Sequence, residues 1–74
     1  MRITECKAYG LTFKSRDEST VCESHMEEIK EYLRENGADP SLAGVFFEID
    51  PETHHRCGIK DCFADPVVNV VFDD

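Results

Sequence analysis

A single amphipathic segment, residues 20–36, constrains the fold of this chain more than any other feature of its sequence. Thr20 followed three residues later by Glu23 fits a capping box, and Gly37 directly after Asn36 is typical of a helix C-terminus. The pattern therefore predicts one helix over residues 20–36, about 24 Å long. The side chains that recur at helical spacing on its apolar face are Val21, Cys22, His25, Met26, Ile29 and Leu33.

The segments on either side of this helix are rich in β-forming residues. Residues 3–14 predict two short strands, residues 45–50 and 66–72 predict one strand each, and a short extra strand near 54–60 is an open alternative. Strands grouped around one helix predict an α+β fold, a single domain of order β(β)αββ with the helix packed on a small antiparallel sheet. The predicted core residues are Ile3, Leu11, Phe13, Val21, Cys22, Met26, Ile29, Leu33, Leu42, Phe46, Ile49, Val68, Val70 and Phe72.

Four cysteines and three histidines stand out in a chain of 74 residues. A domain this small builds a modest core, and such domains often add a metal, disulfides or an oligomeric interface. The sequence shows neither a signal-peptide pattern nor an apolar run that could cross a bilayer, which predicts a cytoplasmic protein. In a reducing compartment, free thiols or a metal site are favoured over a disulfide framework.

Two local pairs of donor residues predict a candidate zinc site. Cys22 and His25 are three residues apart and share one face of the predicted helix, while Cys57 and Cys62 flank a four-residue segment. Zinc takes about four nitrogen or sulfur donors in a tetrahedron. These four residues would provide them, and Cys6 could replace one member.

The spacing also leaves structural interpretations open. Neither pair matches the spacing of a zinc finger or a zinc ribbon, and buried cysteine packs like a small apolar residue. Cys22 and His25 would then belong to the apolar stripe of the helix, and the protein would need no cofactor. The stretch 54–62 would be a hairpin or loop with exposed histidines and structural cysteines, whose ends are also near enough for a disulfide.

The charge of the chain favours a basic partner. Sixteen acidic residues oppose eight basic ones, for a formal net charge of −8. This excess disfavours direct contact with nucleic acid or with an anionic membrane, and it favours docking on a basic protein surface. The predicted partner-binding residues are Glu23, Glu27, Glu28, Glu31, Glu35, Asp50 and Glu52.

These features favour a non-enzymatic binding protein. The sequence has no phosphate-binding glycine loop, nucleophile elbow or H-E-x-x-H helix, and a domain this small rarely encloses a substrate cleft. The leading hypothesis is a small acidic module, and imitation of part of the charge of nucleic acid is one way in which it could bind. It would dock on a basic protein or ribonucleoprotein surface and inhibit or regulate it. Phage-encoded anti-CRISPR proteins are the analogy for this class, although no motif identifies such a family.

The second hypothesis is a structural zinc-binding adaptor that uses Cys22, His25, Cys57 and Cys62. Metal analysis of protein purified without chelator separates the two hypotheses, because only the adaptor requires the ion. Under either hypothesis, an exposed edge strand would allow two copies to pair as a homodimer.

Overall fold

The computed structural model describes residues 5–72 and confirms an α+β fold with antiparallel strand pairing. A two-stranded sheet and a three-stranded sheet accompany one helix in this range. The elements in chain order are β1 (Cys6–Ala8), β2 (Leu11–Phe13), β3 (Thr20–Val21), α1 (Glu23–Glu35), β4 (Phe46–Phe47) and β5 (Val68–Val70). Strand β5 lies between β3 and β4, and β1 pairs with β2.

The N-terminus of the helix differs from the prediction. Thr20 and Val21 form strand β3 and pair with β5, so α1 begins at Glu23 with Cys22 as its N-cap residue. The Thr20 hydroxyl donates a hydrogen bond to the Arg56 carbonyl oxygen at 2.8 Å, and no side chain caps the helix. The predicted capping box is therefore wrong. Long-range contacts replace the local cap, because pairing with β5 holds Thr20 in a buried strand while the Arg56 carbonyl oxygen accepts from its hydroxyl.

The helix itself is amphipathic as predicted. Ile29 and Leu33 are buried against the sheets, whereas the glutamates of the helix are exposed. Burial of these two side chains is the main contribution of the helix to the core. Within residues 5–72, no helix is both long enough and apolar enough to span a membrane.

A tight turn joins β1 to β2. Tyr9 and Gly10 both have positive φ, at 53° and 76°, between the paired residues Ala8 and Leu11. Two consecutive positive φ values are typical of the type I′ turn, which matches the twist of a two-residue hairpin. The turn also brings Gly10 against the helix, where a Cβ atom would lie 3.2 Å from Cδ2 of Tyr32.

The segment after the histidines lies between the two sheets. Ile59 forms a single antiparallel bridge with Phe13 of β2, and the Lys14 amide donates to the Gly58 carbonyl oxygen at 2.8 Å. On the other side, the Gly58 amide donates to the carbonyl oxygen of Thr20 in β3 at 2.6 Å. The extra strand considered near 54–60 is thus reduced to one bridge to β2, and the hydrogen bond from Gly58 to Thr20 connects the same segment to the other sheet.

Most of the predicted core is confirmed. Phe13, Val21 and Ile29 are fully buried, and the rings of Phe13 and Phe72 meet edge to face with centroids 4.7 Å apart. The other predicted core residues that are buried or packed against the buried cluster are Leu11, Cys22, Met26, Leu33, Phe46, Val68, Val70 and Phe72. Ile49 is half-buried, and Ile3 lies outside the described residues.

The largest error in the predicted core is Leu42. Its side chain is 82% exposed in the loop after the helix, because that loop runs over the surface instead of turning inward. Three buried hydrophobic residues were not predicted as core, namely Val45, Cys57 and Ile59. Two of these belong to the segment that bridges the sheets, and long-range pairing determines their burial.

Candidate metal centre

Four donor side chains from two distant parts of the chain converge beside the N-terminus of α1. The ligand atoms of Cys22, His25, Cys57 and Cys62 all lie within 4.8 Å of one another. Nδ1 of His25 is 3.2 Å from Sγ of Cys22 and 3.3 Å from Sγ of Cys57. In a tetrahedral zinc site, neighbouring donor atoms are about 3.5–3.8 Å apart. Closing this set around an ion would therefore need atomic shifts of about 1 Å or less.

The first pair is placed by the junction of β3 and α1. Cys22 is the N-cap residue and His25 lies in the first turn of the helix, so both side chains project from the same end. The Met26 amide donates to the Cys22 carbonyl oxygen at 2.8 Å, which holds this first turn. The free amides of a helix N-terminus favour negative charge nearby, so this end of α1 suits the negatively charged ligand set of a metal site.

The second pair depends on a glycine. A Cβ atom on Gly58 would lie 1.7 Å from the carbonyl oxygen of Glu18, so only glycine lets this segment approach β3. Asp61 then adopts φ 64°, and the Cys62 amide donates to the Ile59 carbonyl oxygen at 3.1 Å. This turn returns the chain toward Cys57 and brings both sulfurs to the helix N-terminus.

Backbone amides surround the sulfur atoms. The Cys22 amide donates to Sγ of Cys57 at 3.4 Å, and the amides of Ile59 and Ala64 also donate to the sulfurs of Cys57 and Cys62, respectively. Burial raises the pKa of the Cys57 thiol to about 11, whereas the Ala64 amide lowers the pKa of Cys62. The buried thiol therefore keeps its proton in the metal-free fold. A bound divalent cation would displace that proton and give the thiolate its counter-charge.

Two charged side chains support the cluster from outside. Oε2 of Glu28 lies 3.7 Å from Nε2 of His25, the ring nitrogen that faces away from the sulfurs. A carboxylate at that position favours a proton on Nε2 and leaves Nδ1 free to accept or to coordinate. Nζ of Lys14 donates to the carbonyl oxygens of Cys57 and Cys62, both at 3.3 Å, and so joins the two ends of the loop.

Sequence reasoning identified the four donors and missed their supports. Glu28 follows His25 by three residues, a spacing that places both on one helix face and could have identified it. Gly58 directly after Cys57 was a second signal, since glycine beside a ligand often marks a close backbone approach. Lys14 carries no comparable signal, because only the fold brings it to the loop.

The other cysteine and histidine candidates lie outside the cluster. Cys6 is half-buried in β1, where it pairs with Phe13, and it is not among the four converging donors. His54 and His55 are exposed, as the sequence predicts. The four cysteines are free thiols, so the disulfide considered between Cys57 and Cys62 is not formed.

The seven predicted partner-binding residues are all exposed, on two separate elements. Asp50 and Glu52 lie in a turn, in which the Glu52 amide donates to Oδ1 of Asp50 at 2.9 Å. On the helix, Oε1 of Glu27 lies 3.5 Å from Nζ of Lys30. The other exposed members of the set are Glu23, Glu28, Glu31 and Glu35. Exposure is compatible with docking, and the docking itself stays a prediction.

Comparison with known proteins adds no relative to this description. No protein family, curated protein or solved structure matches the chain. The fold and the donor set define a small α+β domain with a candidate three-cysteine, one-histidine metal site. Any functional conclusion therefore depends on the chemistry of the site itself.

Proposed function

We propose that this chain is a small zinc-binding adaptor module in which Cys22, His25, Cys57 and Cys62 hold one structural zinc ion. The observation that supports this most strongly is the convergence of four donor atoms within 4.8 Å. Three thiolates and one imidazole suit zinc far better than magnesium or calcium, which prefer oxygen ligands. Four protein ligands would also complete the tetrahedron, leaving no open position for a substrate, which is typical of a structural site.

The ion would add a cross-link to a domain that has little regular structure outside its helix. The strands contain only two or three residues each, and both sheets are small. Zinc would join the start of α1 directly to the loop between Cys57 and Cys62. Because the unfolded chain lacks a preformed site, the free energy of metal binding would add to the stability of the fold.

Metal analysis under reducing conditions tests this proposal. Protein purified without chelator should contain about one equivalent of zinc, and cobalt substitution should give the visible absorption bands of a tetrahedral thiolate site. Cys57→Ser should abolish stoichiometric binding. Cys6→Ser is the matched control, since it removes a thiol outside the cluster and should leave the zinc content unchanged. Zinc below about a tenth of an equivalent in the unsubstituted protein would contradict the proposal.

The adaptor role would use the exposed carboxylates as the contact with a basic protein surface. It is supported by the net charge of −8 and by the exposure of all seven acidic residues predicted for this contact. Affinity for such a partner should fall steeply as salt rises, because exposed charges are screened over about 10 Å at 0.1 M. Capture of partners from a lysate at low and high salt measures this directly. Binding that is indifferent to salt would contradict the electrostatic contact. Inhibition of a host defence complex is a narrower version of the same prediction.

A further inference from the structure

The middle and C-terminal part of α1 and the β1–β2 hairpin line a second feature, which shares only Glu28 with the surroundings of the metal site. It is an open hollow of about 270 Å³. Pockets for small molecules usually measure about 300–1,000 Å³, so this hollow is better matched to one long side chain. We name it the acidic–aromatic hollow. Its floor contains Tyr9, Leu11 and Tyr32, and its rim contains Glu28, Glu31 and Glu35.

Two tyrosine rings shape the floor. The rings of Tyr9 and Tyr32 meet edge to face, with centroids 6.3 Å apart and an interplanar angle of 80°. Gly10 allows this approach because it has positive φ and no side chain to displace the Tyr32 ring. Tyr32 remains 39% exposed. The hollow therefore offers aromatic surface that a visiting side chain could contact.

The rim carries negative charge on one flank of the helix. Glu28, Glu31 and Glu35 follow one another at three- and four-residue spacing, so their carboxylates are neighbours. Glu31 contacts the Arg34 guanidinium at 3.3 Å, whereas Glu35 forms no ion pair within residues 5–72. Like charges at this spacing repel one another, and a cation placed between them would relieve that repulsion.

We propose that the acidic–aromatic hollow binds one arginine side chain of a basic partner protein. The inference deepens the proposed adaptor role and depends on it. Arginine fits better than lysine, because the planar guanidinium can stack on an aromatic ring and donate paired hydrogen bonds to carboxylates at the same time. The chain's surplus of negative charge would draw the basic partner toward this flank.

Titration with short model peptides, followed by amide chemical shifts, tests the assignment on the zinc-loaded full chain. The probes are a blocked arginine-rich peptide, the lysine peptide of equal length and the uncharged citrulline peptide. We expect shift changes centred on Gly10, Tyr32 and Glu35. The arginine peptide should bind at least about threefold more tightly than the lysine peptide, and the citrulline peptide should not bind.

Substitutions then separate the hollow from the general acidic surface. Tyr32→Ala should weaken arginine-peptide binding about three- to tenfold, while Tyr32→Phe keeps the ring and should retain most of the affinity. Glu35→Gln should weaken binding more than Glu27→Gln, which removes the same charge from a helix position that does not line the hollow. Unchanged zinc content and an otherwise unchanged amide spectrum show that each variant is folded.

The outcomes distinguish this assignment from the broader proposals. Two results would contradict arginine binding in the hollow: shift changes spread evenly over all acidic segments, or equal effects of Glu27→Gln and Glu35→Gln. Either result would still be consistent with a salt-dependent contact with a basic partner. Absence of binding by both cationic peptides at low salt would overturn the hollow and also contradict the acidic contact. Neither outcome changes the zinc content, so the metal proposal stands or falls separately.

Discussion

The two ends of helix α1 differ in what holds their functional side chains in place. At the N-terminal end, Cys22 is only 6% exposed, and its amide donates a hydrogen bond to Sγ of Cys57, which lies 35 residues further along the chain. At the C-terminal end, Tyr32 and Glu35 are exposed, and the helix itself determines their spacing. The comparison teaches that long-range contacts bring the donors of the first site together, whereas local periodicity sets the spacing of the acidic side chains at the second. Substitutions at the first site should therefore destabilise the whole fold, whereas substitutions at the second should have only local effects.

Removal of the metal should cause the largest loss of stability, because the ion would connect the side chains at the N-terminal end of α1. Free zinc at about 1,000 times its dissociation constant adds about 4 kcal/mol to the free energy of unfolding. Chelation of the reduced protein should remove this amount, measured by denaturant titration followed by circular dichroism. An unchanged unfolding midpoint after complete removal of zinc would show that the long-range contacts suffice without the ion.

Gly58→Ala should cause the next largest loss of stability. The added methyl group would meet the Glu18 carbonyl oxygen, so the backbone must move, at a cost of about 1–3 kcal/mol or more in unfolding free energy. Zinc affinity should fall in the same variant, because Cys57 moves with its neighbour. Titration with a competing chelator measures that affinity.

Gly44→Ala is the matched control for this substitution. Gly44 has positive φ, at 65°, but nothing lies within 4 Å of its added Cβ, so the cost is backbone strain alone. Stability should fall by about 1 kcal/mol while zinc affinity stays unchanged. Equal loss of zinc affinity in both variants would contradict the specific role of the Gly58 approach.

The same contrast explains how much of the molecule the sequence could predict. Helical spacing placed Ile29 and Leu33 in the core and Glu35 on the surface, because local periodicity alone determines which face each side chain occupies. Spacing also put Cys22 and His25 on one face. These features need no knowledge of the tertiary fold.

Several features that sequence reasoning missed depend on distant pairing. Thr20 resembled a helix cap because its tertiary partner, the carbonyl oxygen of Arg56, cannot be inferred from nearby residues. The burial of Cys57 likewise follows from the approach of Gly58 to β3. Sequence could therefore nominate the four donors, but their convergence requires the fold.

The metal-free protein should lose stability at alkaline pH through its N-terminal end. The pKa of Cys57 rises from 9.0 to about 11 on folding, because burial disfavours the thiolate. A raised pKa stabilises the fold fully below about pH 9, and this contribution is lost as pH rises through 11. Denaturant titrations of the reduced, metal-free protein across this range measure the decline. Cys57→Ser should reduce this loss of stability with pH, whereas Cys6→Ser should leave it unchanged.

The smallest effects on stability come from two neighbouring glutamates, of which Glu28 contacts the metal site and Glu27 belongs to neither site. Glu28 lies 3.7 Å from the His25 ring, whereas Glu27 lies 3.5 Å from Lys30 and points to no donor of the metal site. Both carboxylates are more than half exposed. Each ion pair should therefore contribute only about 0.2–0.5 kcal/mol to stability.

Zinc affinity should nevertheless separate the two glutamates. Glu28→Gln should weaken binding by up to about tenfold, because a carboxylate beside a ligating histidine helps to orient its ring. Glu27→Gln removes the same charge one residue away and should leave the affinity unchanged, so a general loss of negative charge cannot account for the difference. Equal weakening in both variants would show that Glu28 acts only through the overall field, and that His25 is oriented by its contacts with the sulfurs alone.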